Sequence, residues 1–329
     1  MEDCRSENGA APAGERKLPI IDLSLDEHKA AAALREACIT FGFFYIVNHG
    51  VSDDLIADTF KQSERFFSQP LEEKQKCASG VLLKGYYGMG EETVDPVKQT
   101  TGGTKESFEF SQERSPDKAI ATPERPFHRP NVWPEEATLP GFKQTMLNYF
   151  EGMFDAGMRL LRVLALALEL EPTFFVEHYT DSVATARLLH YDATLSDTDA
   201  GLYACGEHTD YGMMTLLKTD DVPGLQIQWP DGEWVDVYPL ERAFIVNIAD
   251  MLEHWTNGLF RSTNHRVLNT TGRERYSIPL FFDSNMDVKV ECLPTCCSAE
   301  NPAKYDPVMS GTWLLEKLQA TYITADGGS

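Results

Sequence analysis

The sequence predicts a mainly β protein with flanking helices, and three observations support this fold class. Between positions 184 and 283, short β-rich runs alternate with turns such as Val222-Pro223-Gly224 and Pro230-Asp231-Gly232, a pattern typical of antiparallel double-sheet folds. Between positions 140 and 170, Phe, Met and Leu recur every three or four residues, which predicts a core helix bracing a sheet. The 329 residues, 42% of them hydrophobic, are enough for a sizeable core.

The first 70 residues predict two strands and two helices in alternation. Residues 18–23 (LPIIDL) indicate a short strand, and residues 26–40 carry Ala, Leu and Glu at helical spacing and end before a glycine. The β-rich run 43–48 predicts the second strand. Ser52, followed by two aspartates, supplies an N-cap and an acidic first turn for a helix that reaches about Phe67.

The middle and the end of the chain complete the predicted order of elements. Residues 80–130 are rich in Gly, Thr, Pro and charge, which predicts long loops around one strand, 107–110. Loops of that length in a compact enzyme usually line or cover a site. Residues 311–321 predict a final helix, whereas the leader 1–16 and the tail 325–329 are expected to be disordered.

Composition excludes several classes of partner. The formal charge of −22 repels phosphate backbones and anionic lipid surfaces, so neither nucleic acid nor membrane is expected as a partner. No apolar run approaches the roughly 20 residues that span a bilayer, and the N-terminal residues lack a hydrophobic signal core. The seven cysteines are scattered, without Cys-x-x-Cys spacing, which is typical of reduced thiols. We expect a cytoplasmic monomer.

Two histidines and one aspartate form a candidate metal site. His208 and Asp210 stand two positions apart, and side chains two apart in an extended segment point the same way. His265 follows 55 positions after Asp210, which leaves room for several short strands. Two imidazoles and one carboxylate on one face of an ion are the ligands of non-haem Fe(II) oxygenases. Zinc also accepts this set, so the triad alone does not choose the metal.

Arg275 and Ser277 form a candidate carboxylate site. They also stand two apart, on one face of the apolar run that continues to Phe282. A guanidinium matches a carboxylate with two parallel hydrogen bonds, and a hydroxyl can add another. A carboxylate held there could present its other end to the metal, which is the geometry that a 2-oxo diacid requires.

At these residues the chain resembles the isopenicillin N synthase-like, 2-oxoglutarate- and Fe(II)-dependent dioxygenases. A lone His-x-Asp triplet is weak support, but many segments match the family in the same order. They are LPIIDL at 18–23, GFFYIVNHG at 42–50, KESFEF at 105–110, HTD at 208–210, VNIAD at 246–250, WTNG at 255–258, HRV at 265–267 and RYS at 275–277.

The resemblance implies a double-stranded β-helix (jelly roll) core with helices packed outside. It implies that Fe(II) is held by His208, Asp210 and His265. It also implies that the hydroxyl of Tyr191 joins Arg275 and Ser277 around the distal carboxylate of 2-oxoglutarate. O2 would complete the reaction, with ascorbate as a supporting reductant, and 2-oxoglutarate would leave as succinate and CO2. The expected parts are a mixed α/β region at 17–180, the metal- and 2-oxoglutarate-binding core at 181–290, and a C-terminal segment at 291–329.

Three positions near the site bear on the co-substrate and the substrate: Leu189, Asp192 and Phe281. Many plant members have Asn where Leu189 stands, and that Asn reaches the proximal carboxylate of 2-oxoglutarate, a bond that Leu189 cannot donate. Many also have Pro at the position of Asp192. Phe281 continues the face of Arg275 and Ser277, so it is either a substrate-contacting wall, as in related enzymes, or a core residue.

Two alternatives remain for a small-molecule oxygenase of this kind. The first is an isopenicillin N synthase-like or aminocyclopropanecarboxylate oxidase-like enzyme, which keeps an Arg-x-Ser motif but does not use 2-oxoglutarate. The second is a non-catalytic small-molecule-binding descendant, which loss of a metal ligand would mark. The motifs do not choose among hydroxylation, desaturation and ring closure, and they do not identify the substrate.

Overall fold

The computed structural model of the chain describes residues 16–78, 83–92, 94, 98–99, 103–115, 122 and 127–322. The predicted disorder of the leader (except for Arg16) and of the tail concerns positions outside these described residues. No helix among the described residues is long and apolar enough to cross a membrane.

The N-terminal elements follow the predicted order. They are β1 (Ile20–Asp22), α1 (Glu27–Thr40), β2 (Phe43–Val47), α2 (Asp53–Phe67) and the short α3 (Leu71–Gln75). The side chains of Asp26 and Ser52 accept hydrogen bonds from the backbone N–H groups of His28 and Leu55, so each satisfies a donor that a helix start leaves open.

The loop-rich region contains one strand more than the sequence predicted. The strand expected at 107–110 is longer, β4 (Lys105–Ser111), and it pairs antiparallel with β3 (Gly85–Tyr87). A three-residue strand is too short to show a periodic pattern, so the single-strand prediction was incomplete. The predicted core helix forms as α4 (Phe142–Ala167).

The second half of the chain is mostly β-structure. Its strands and helices are β5 (Thr185–Tyr191), β6 (Cys205–His208), β7 (Met214–Thr219), β8 (Leu225–Gln228), β9 (Trp234–Asp236), β10 (Ala243–Ile248), α5 (Asp250–Trp255), β11 (His265–Val267), β12 (Arg275–Phe282), β13 (Lys289–Val290), β14 (Val308–Met309) and α6 (Ser310–Tyr322). Two 3₁₀ turns lie at Val176–Tyr179 and Pro294–Cys296.

Two sheets form the double-stranded β-helix that the resemblance implied. The large sheet has the strand order β1-β2-β10-β7-β12-β5-β4-β3, and the small sheet has the order β6-β11-β8-β9. All pairs are antiparallel except β1 with β2. Strands β1 to β4, which precede the predicted core, therefore lie in the same large sheet as β5, β7, β10 and β12.

Strand β12 shows how the two faces of the large sheet differ. Ile278, Leu280 and Phe282 are fully buried in the main hydrophobic core, which α4 also lines. Close approach of α4 requires a glycine, because a Cβ at Gly157 would lie 2.7 Å from the Phe282 ring. The alternate residues of β12 therefore face away from the helix, toward the small sheet.

Candidate metal centre and co-substrate site

A cavity with a volume of about 130 Å³ lies between the two sheets. Its walls combine residues of the large sheet, of the small sheet and of α6. Every residue that the sequence analysis proposed for metal, co-substrate or substrate lines it: Tyr191, His208, Asp210, His265, Arg275, Ser277 and Phe281. Leu314 and Leu318 of α6 add an apolar side.

His208, Asp210 and His265 converge on one point of this cavity. Cross-strand pairing places His265 of β11 opposite His208 at the end of β6, and Asp210 follows two residues later. Oδ1 of Asp210 lies 3.8 Å from Nε2 of His208 and 3.7 Å from Nε2 of His265. The three candidate ligand atoms lie within 4.8 Å of one another, so they could share one metal ion.

Hydrogen bonds behind these side chains orient them. Nδ1 of His208 lies 2.9 Å from the Gly206 carbonyl oxygen, and Nδ1 of His265 lies 3.1 Å from that of Thr263. A carbonyl only accepts, so both rings carry the proton on Nδ1 and present the Nε2 lone pair toward Asp210.

Asp210 is held by its other oxygen. Its Oδ2 accepts hydrogen bonds from Nδ2 of Asn247 at 2.7 Å and from the Thr215 hydroxyl. Oδ1 therefore stays available on the side of the two imidazoles, and the carboxylate is oriented to offer one oxygen.

The electrostatics favour the protonation states that a metal needs. Burial and the neighbouring His265 lower the pKa of His208 to about 4, although Asp210 opposes both effects. Burial alone would raise the pKa of Asp210, but His265, His208 and the hydrogen bond from Asn247 bring it below its usual value. A neutral His208 imidazole beside the ionised Asp210 carboxylate is competent to bind a metal.

Arg275 is a buried cation without a carboxylate partner among the described residues. Its side chain is almost fully enclosed, its Nε donates to the Val222 carbonyl at 3.2 Å, and its guanidinium carbon lies 5.0 Å from the centre of the Tyr191 ring. Its Nη1 is buried and has no hydrogen-bond partner among the described residues. Unpaired buried charge is costly, so the donor set fits an anionic ligand in the cavity.

Tyr191 and Ser277 flank this guanidinium. Tyr191 lies opposite Arg275 in the β5–β12 pairing. Burial raises the pKa of Tyr191, while Lys105, Arg275 and a hydrogen bond with Ser277 oppose that rise. The phenol therefore stays protonated, and both hydroxyls could donate to the same carboxylate as Arg275.

Leu189 offers no polar group to the cavity. It packs in a small apolar cluster with Tyr191, Cys205 and Val267. The structure therefore retains the departure from the family pattern that the sequence showed at this position.

A buried ionic network on the cavity wall was missed by the sequence analysis. Arg187 binds Glu92 at 2.9 and 3.1 Å and also pairs with Glu109, and Lys105 pairs with Glu92 at 2.8 Å. Phe281 lies beside it, its ring centre 5.3 Å from the Arg187 guanidinium. Strand alternation from Tyr191 could have identified Arg187, but Glu92 lies in a loop without a sequence signal.

Comparison with known protein families agrees with this geometry. A family model described as the N-terminal region of non-haem dioxygenases in morphine synthesis matches residues 18–136, and the 2OG-Fe(II) oxygenase superfamily model matches residues 176–284. Kihadalactone A synthase of Citrus sinensis is 36% identical, with 92% of this chain and 91% of the relative covered. Azadirone synthase of Melia azedarach is 37% identical, with 96% of each covered.

Solved structures of similar proteins share the fold. A Neurospora crassa protein crystallised with α-ketoglutarate and thymine has a TM-score of 0.83 and 30% identity, covering 94% of this chain and 98% of that one. A 2OG-Fe(II) oxygenase family protein from Caulobacter crescentus has a TM-score of 0.80 and 29% identity, covering 92% and 98%. The chain belongs to the 2-oxoglutarate- and Fe(II)-dependent oxygenase superfamily, whose co-substrates are 2-oxoglutarate and O2.

Proposed function

We propose that His208, Asp210 and His265 hold the Fe(II) of this oxygenase, and that Arg275 binds the distal carboxylate of 2-oxoglutarate with help from Ser277 and Tyr191. The Arg275 guanidinium carries the proposal. It is buried on the wall of the same cavity as the candidate metal ligands, and its Nη1 has no partner among the described residues. A dicarboxylate between Arg275 and the metal would neutralise both.

The chain's own residues would bind the metal and 2-oxoglutarate, hold them in a fixed orientation and exclude water from the cavity. When bound, Fe(II) with 2-oxoglutarate and O2 supplies the oxidising power for a C–H bond, with succinate and CO2 as co-products. Asn247 and Thr215 would keep Asp210 oriented, and Val222 would keep the Arg275 fork pointing at its ligand. Enclosure of these groups strengthens each electrostatic contact, because the local dielectric constant is low.

The substrate side is proposed to lie along Phe281. This aromatic ring lines the cavity next to Arg187, and Leu314 and Leu318 of α6 line the same cavity. The wall therefore offers an apolar surface with one charged corner, which suits a small organic molecule with an apolar body and a polar edge. The Neurospora crassa relative was crystallised with thymine, so pyrimidines belong among the first compounds to screen.

The partners, the location, the oligomeric state and the domain division of the enzyme are also proposals. The charge of −22 supports a protein without nucleic-acid or membrane partners, and we propose that it acts as a cytoplasmic monomer. The division into regions 17–180, 181–290 and 291–329 stays a prediction, and strands on both sides of its first boundary share the large sheet.

Stoichiometric succinate release tests the proposed site. Purified protein is loaded anaerobically with Fe(II), and a panel of small molecules is screened with 2-oxoglutarate, ascorbate and O2 by mass spectrometry. We expect one succinate for each oxidised product, and loss of both in an Asp210→Ala variant. Product without succinate would favour the oxidase alternative. Full activity with zinc in place of Fe(II) would overturn the choice of metal.

A further inference from the structure

The proposed co-substrate site lacks one donor on β5. By strand alternation, the cavity face of β5 presents Arg187, Leu189 and Tyr191 in order. Leu189 lies between the two polar side chains, and its own side chain can only pack. If Arg275 and Tyr191 bind the distal carboxylate, the carboxylate beside the metal needs a donor from another strand.

Lys105 lies on the neighbouring strand β4, two residues before Ser107, which pairs with Leu189. The β4–β5 register places it opposite Tyr191, so both side chains lie on the cavity face. Lys105 is 7% exposed, and its ammonium lies 3.2 Å from Sγ of Cys205. Cys205 belongs to β6, the strand that carries His208, so the ammonium crosses from the large sheet to the strand of the metal site.

Glu92 shows in which direction the Lys105 side chain leans. Its carboxylate lies 2.8 Å from the Lys105 ammonium and also binds Nη1 of Arg187, at 2.9 and 3.1 Å. Arg187 lies two residues before Leu189 on the same face. The Lys105 ammonium therefore leans from the level of Tyr191 toward that of Arg187, which brings it alongside Leu189.

The ammonium has a hydrogen to spare. A protonated lysine has three N–H donors, and Lys105 directs them to Glu92 and Cys205, its hydrogen-bond partners among the described residues. Burial disfavours this charge, but Cys205 and Glu92 raise the pKa of Lys105 above its usual value, so it remains a cation.

Three other polar side chains of the cavity, Arg187, Asn247 and Thr215, already have carboxylate partners. The Arg187 guanidinium holds two carboxylates, those of Glu92 and Glu109. Asn247 and Thr215 donate to Asp210. Among the described lining residues, Arg275 is already assigned to the distal carboxylate and Arg187 to Glu92 and Glu109, which leaves Lys105 as the cation for an anion next to the metal.

We propose that Lys105 donates to the proximal carboxylate of 2-oxoglutarate, the one beside the metal, and so supplies the hydrogen bond that Leu189 cannot. The proposal rests on the proposed co-substrate site, in which Arg275 holds the opposite end. Glu92 is a positioning residue, because it fixes the ammonium between β4 and β5. In this chain the donor would therefore be the Lys105 ammonium on β4, in place of the Asn amide that many plant members have on β5 at the position of Leu189.

Binding without turnover tests this role. The Fe(II)-loaded protein is titrated anaerobically with 2-oxoglutarate, and binding is followed by calorimetry and by the visible charge-transfer absorption of the chelate. Loss of one charge-assisted hydrogen bond should weaken 2-oxoglutarate binding about 10- to 100-fold in Lys105→Met. Lys74→Met is the matched control, since Lys74 is also buried and also pairs with a glutamate, Glu106, at 2.6 Å. Glu106 follows Lys105 directly in β4, so its side chain points to the opposite face of the sheet, away from the cavity.

A truncated ligand assigns the effect to one end of the co-substrate. 4-Oxobutanoate keeps the carbonyl and the distal carboxylate but lacks the proximal one, so Lys105→Met should leave its binding, measured by competition, within about twofold of wild type. Arg275→Lys should weaken both ligands. Equal weakening of both ligands by Lys105→Met would move Lys105 to the distal end and overturn the proposal, as would unchanged 2-oxoglutarate binding.

Rescue provides the last discrimination. Leu189→Asn in the Lys105→Met background restores a donor on β5, and we expect it to recover at least about tenfold of the lost 2-oxoglutarate affinity. Lys105→Leu, which also lacks a hydrogen-bond donor, replaces Lys105→Met if the latter does not fold by circular dichroism. Failure of the wild type itself to bind 2-oxoglutarate with Fe(II) would instead refute the proposed co-substrate site, independently of Lys105.

Discussion

Replacement of Arg275 by lysine tests the proposed co-substrate site most directly. In the structure its Nε donates to the Val222 carbonyl at 3.2 Å, and its guanidinium carbon lies 5.0 Å from the centre of the Tyr191 ring. These two contacts orient the fork, and Nη1 has no partner among the described residues. An ammonium keeps the charge but has no planar fork and cannot satisfy Val222 and a bidentate carboxylate together.

The size of the effect follows from the lost hydrogen bonds. Each charge-assisted bond contributes on the order of 1.5–3 kcal/mol, and lysine should retain one of the two. The apparent KM for 2-oxoglutarate should therefore rise about 10- to 100-fold, since roughly 1.4 kcal/mol is a factor of ten. Turnover at saturating 2-oxoglutarate should fall much less, and bound iron should be unchanged because no proposed metal ligand is altered.

The assay measures succinate and product together over a range of 2-oxoglutarate concentrations, with iron content and circular dichroism as checks. Arg159→Lys is the control, because Arg159 donates to the backbone carbonyls of Leu23 and His49, and none of these three residues lines the cavity. A KM for 2-oxoglutarate within twofold of wild type in Arg275→Lys would refute the assignment. Full product formation by the wild type without 2-oxoglutarate would mean that Arg275 binds a carboxylate of the substrate itself.

Three further predictions concern other cavity residues. Asp210→Ala should abolish turnover and most Fe(II) binding while keeping the fold, as metal analysis and circular dichroism would show; normal iron content would remove Asp210 from the site. Phe281→Ala should weaken substrate binding by roughly 1.5–3 kcal/mol or change the product distribution without affecting Fe(II), whereas a stability loss with unchanged kinetics would return Phe281 to the core. Burial raises the pKa of Asp283 to about 7, so this carboxyl should destabilise the metal-free protein as the pH rises from about 4 to 7, where only the unfolded chain releases the proton. Asp283→Asn should then raise the melting temperature at pH 8 more than at pH 4, and an equal effect at both pH values would contradict that raised pKa.

Strand alternation explains how much of the site could be predicted from the sequence. Arg275, Ser277 and Phe281 stand at even spacings along β12, so one extended segment places all three on the same wall. The same rule turns His190, next to Tyr191, toward Glu106 on the other face, at 2.8 Å. Within one strand, the spacing alone fixes the face.

Pairing between strands is what the sequence could not supply. The meeting of Lys105 with Cys205, and of Arg187 with Glu92, depends on the β4–β5 register and on the approach of the small sheet. Local patterns mark a strand but not its partner. Strand β3 was missed for the same reason. Its three residues, Gly85–Tyr87, form a strand through pairing with β4 and are too few to show a periodic pattern.

The distribution of charge in the cavity connects these observations. Among the described residues, Oδ2 of Asp210 accepts hydrogen bonds from Asn247 and Thr215, whereas Nη1 of Arg275 has no hydrogen-bond partner. A divalent metal would compensate the first and a dicarboxylate the second, so each would remove an unfavourable buried charge that the other leaves. The carboxylate of Glu92 supplies a negative charge to the buried cations Lys105 and Arg187. On the proposed assignment, Asp210 and Arg275 each have a neighbouring opposite charge only when metal and co-substrate are both present, which would favour their joint binding over either alone.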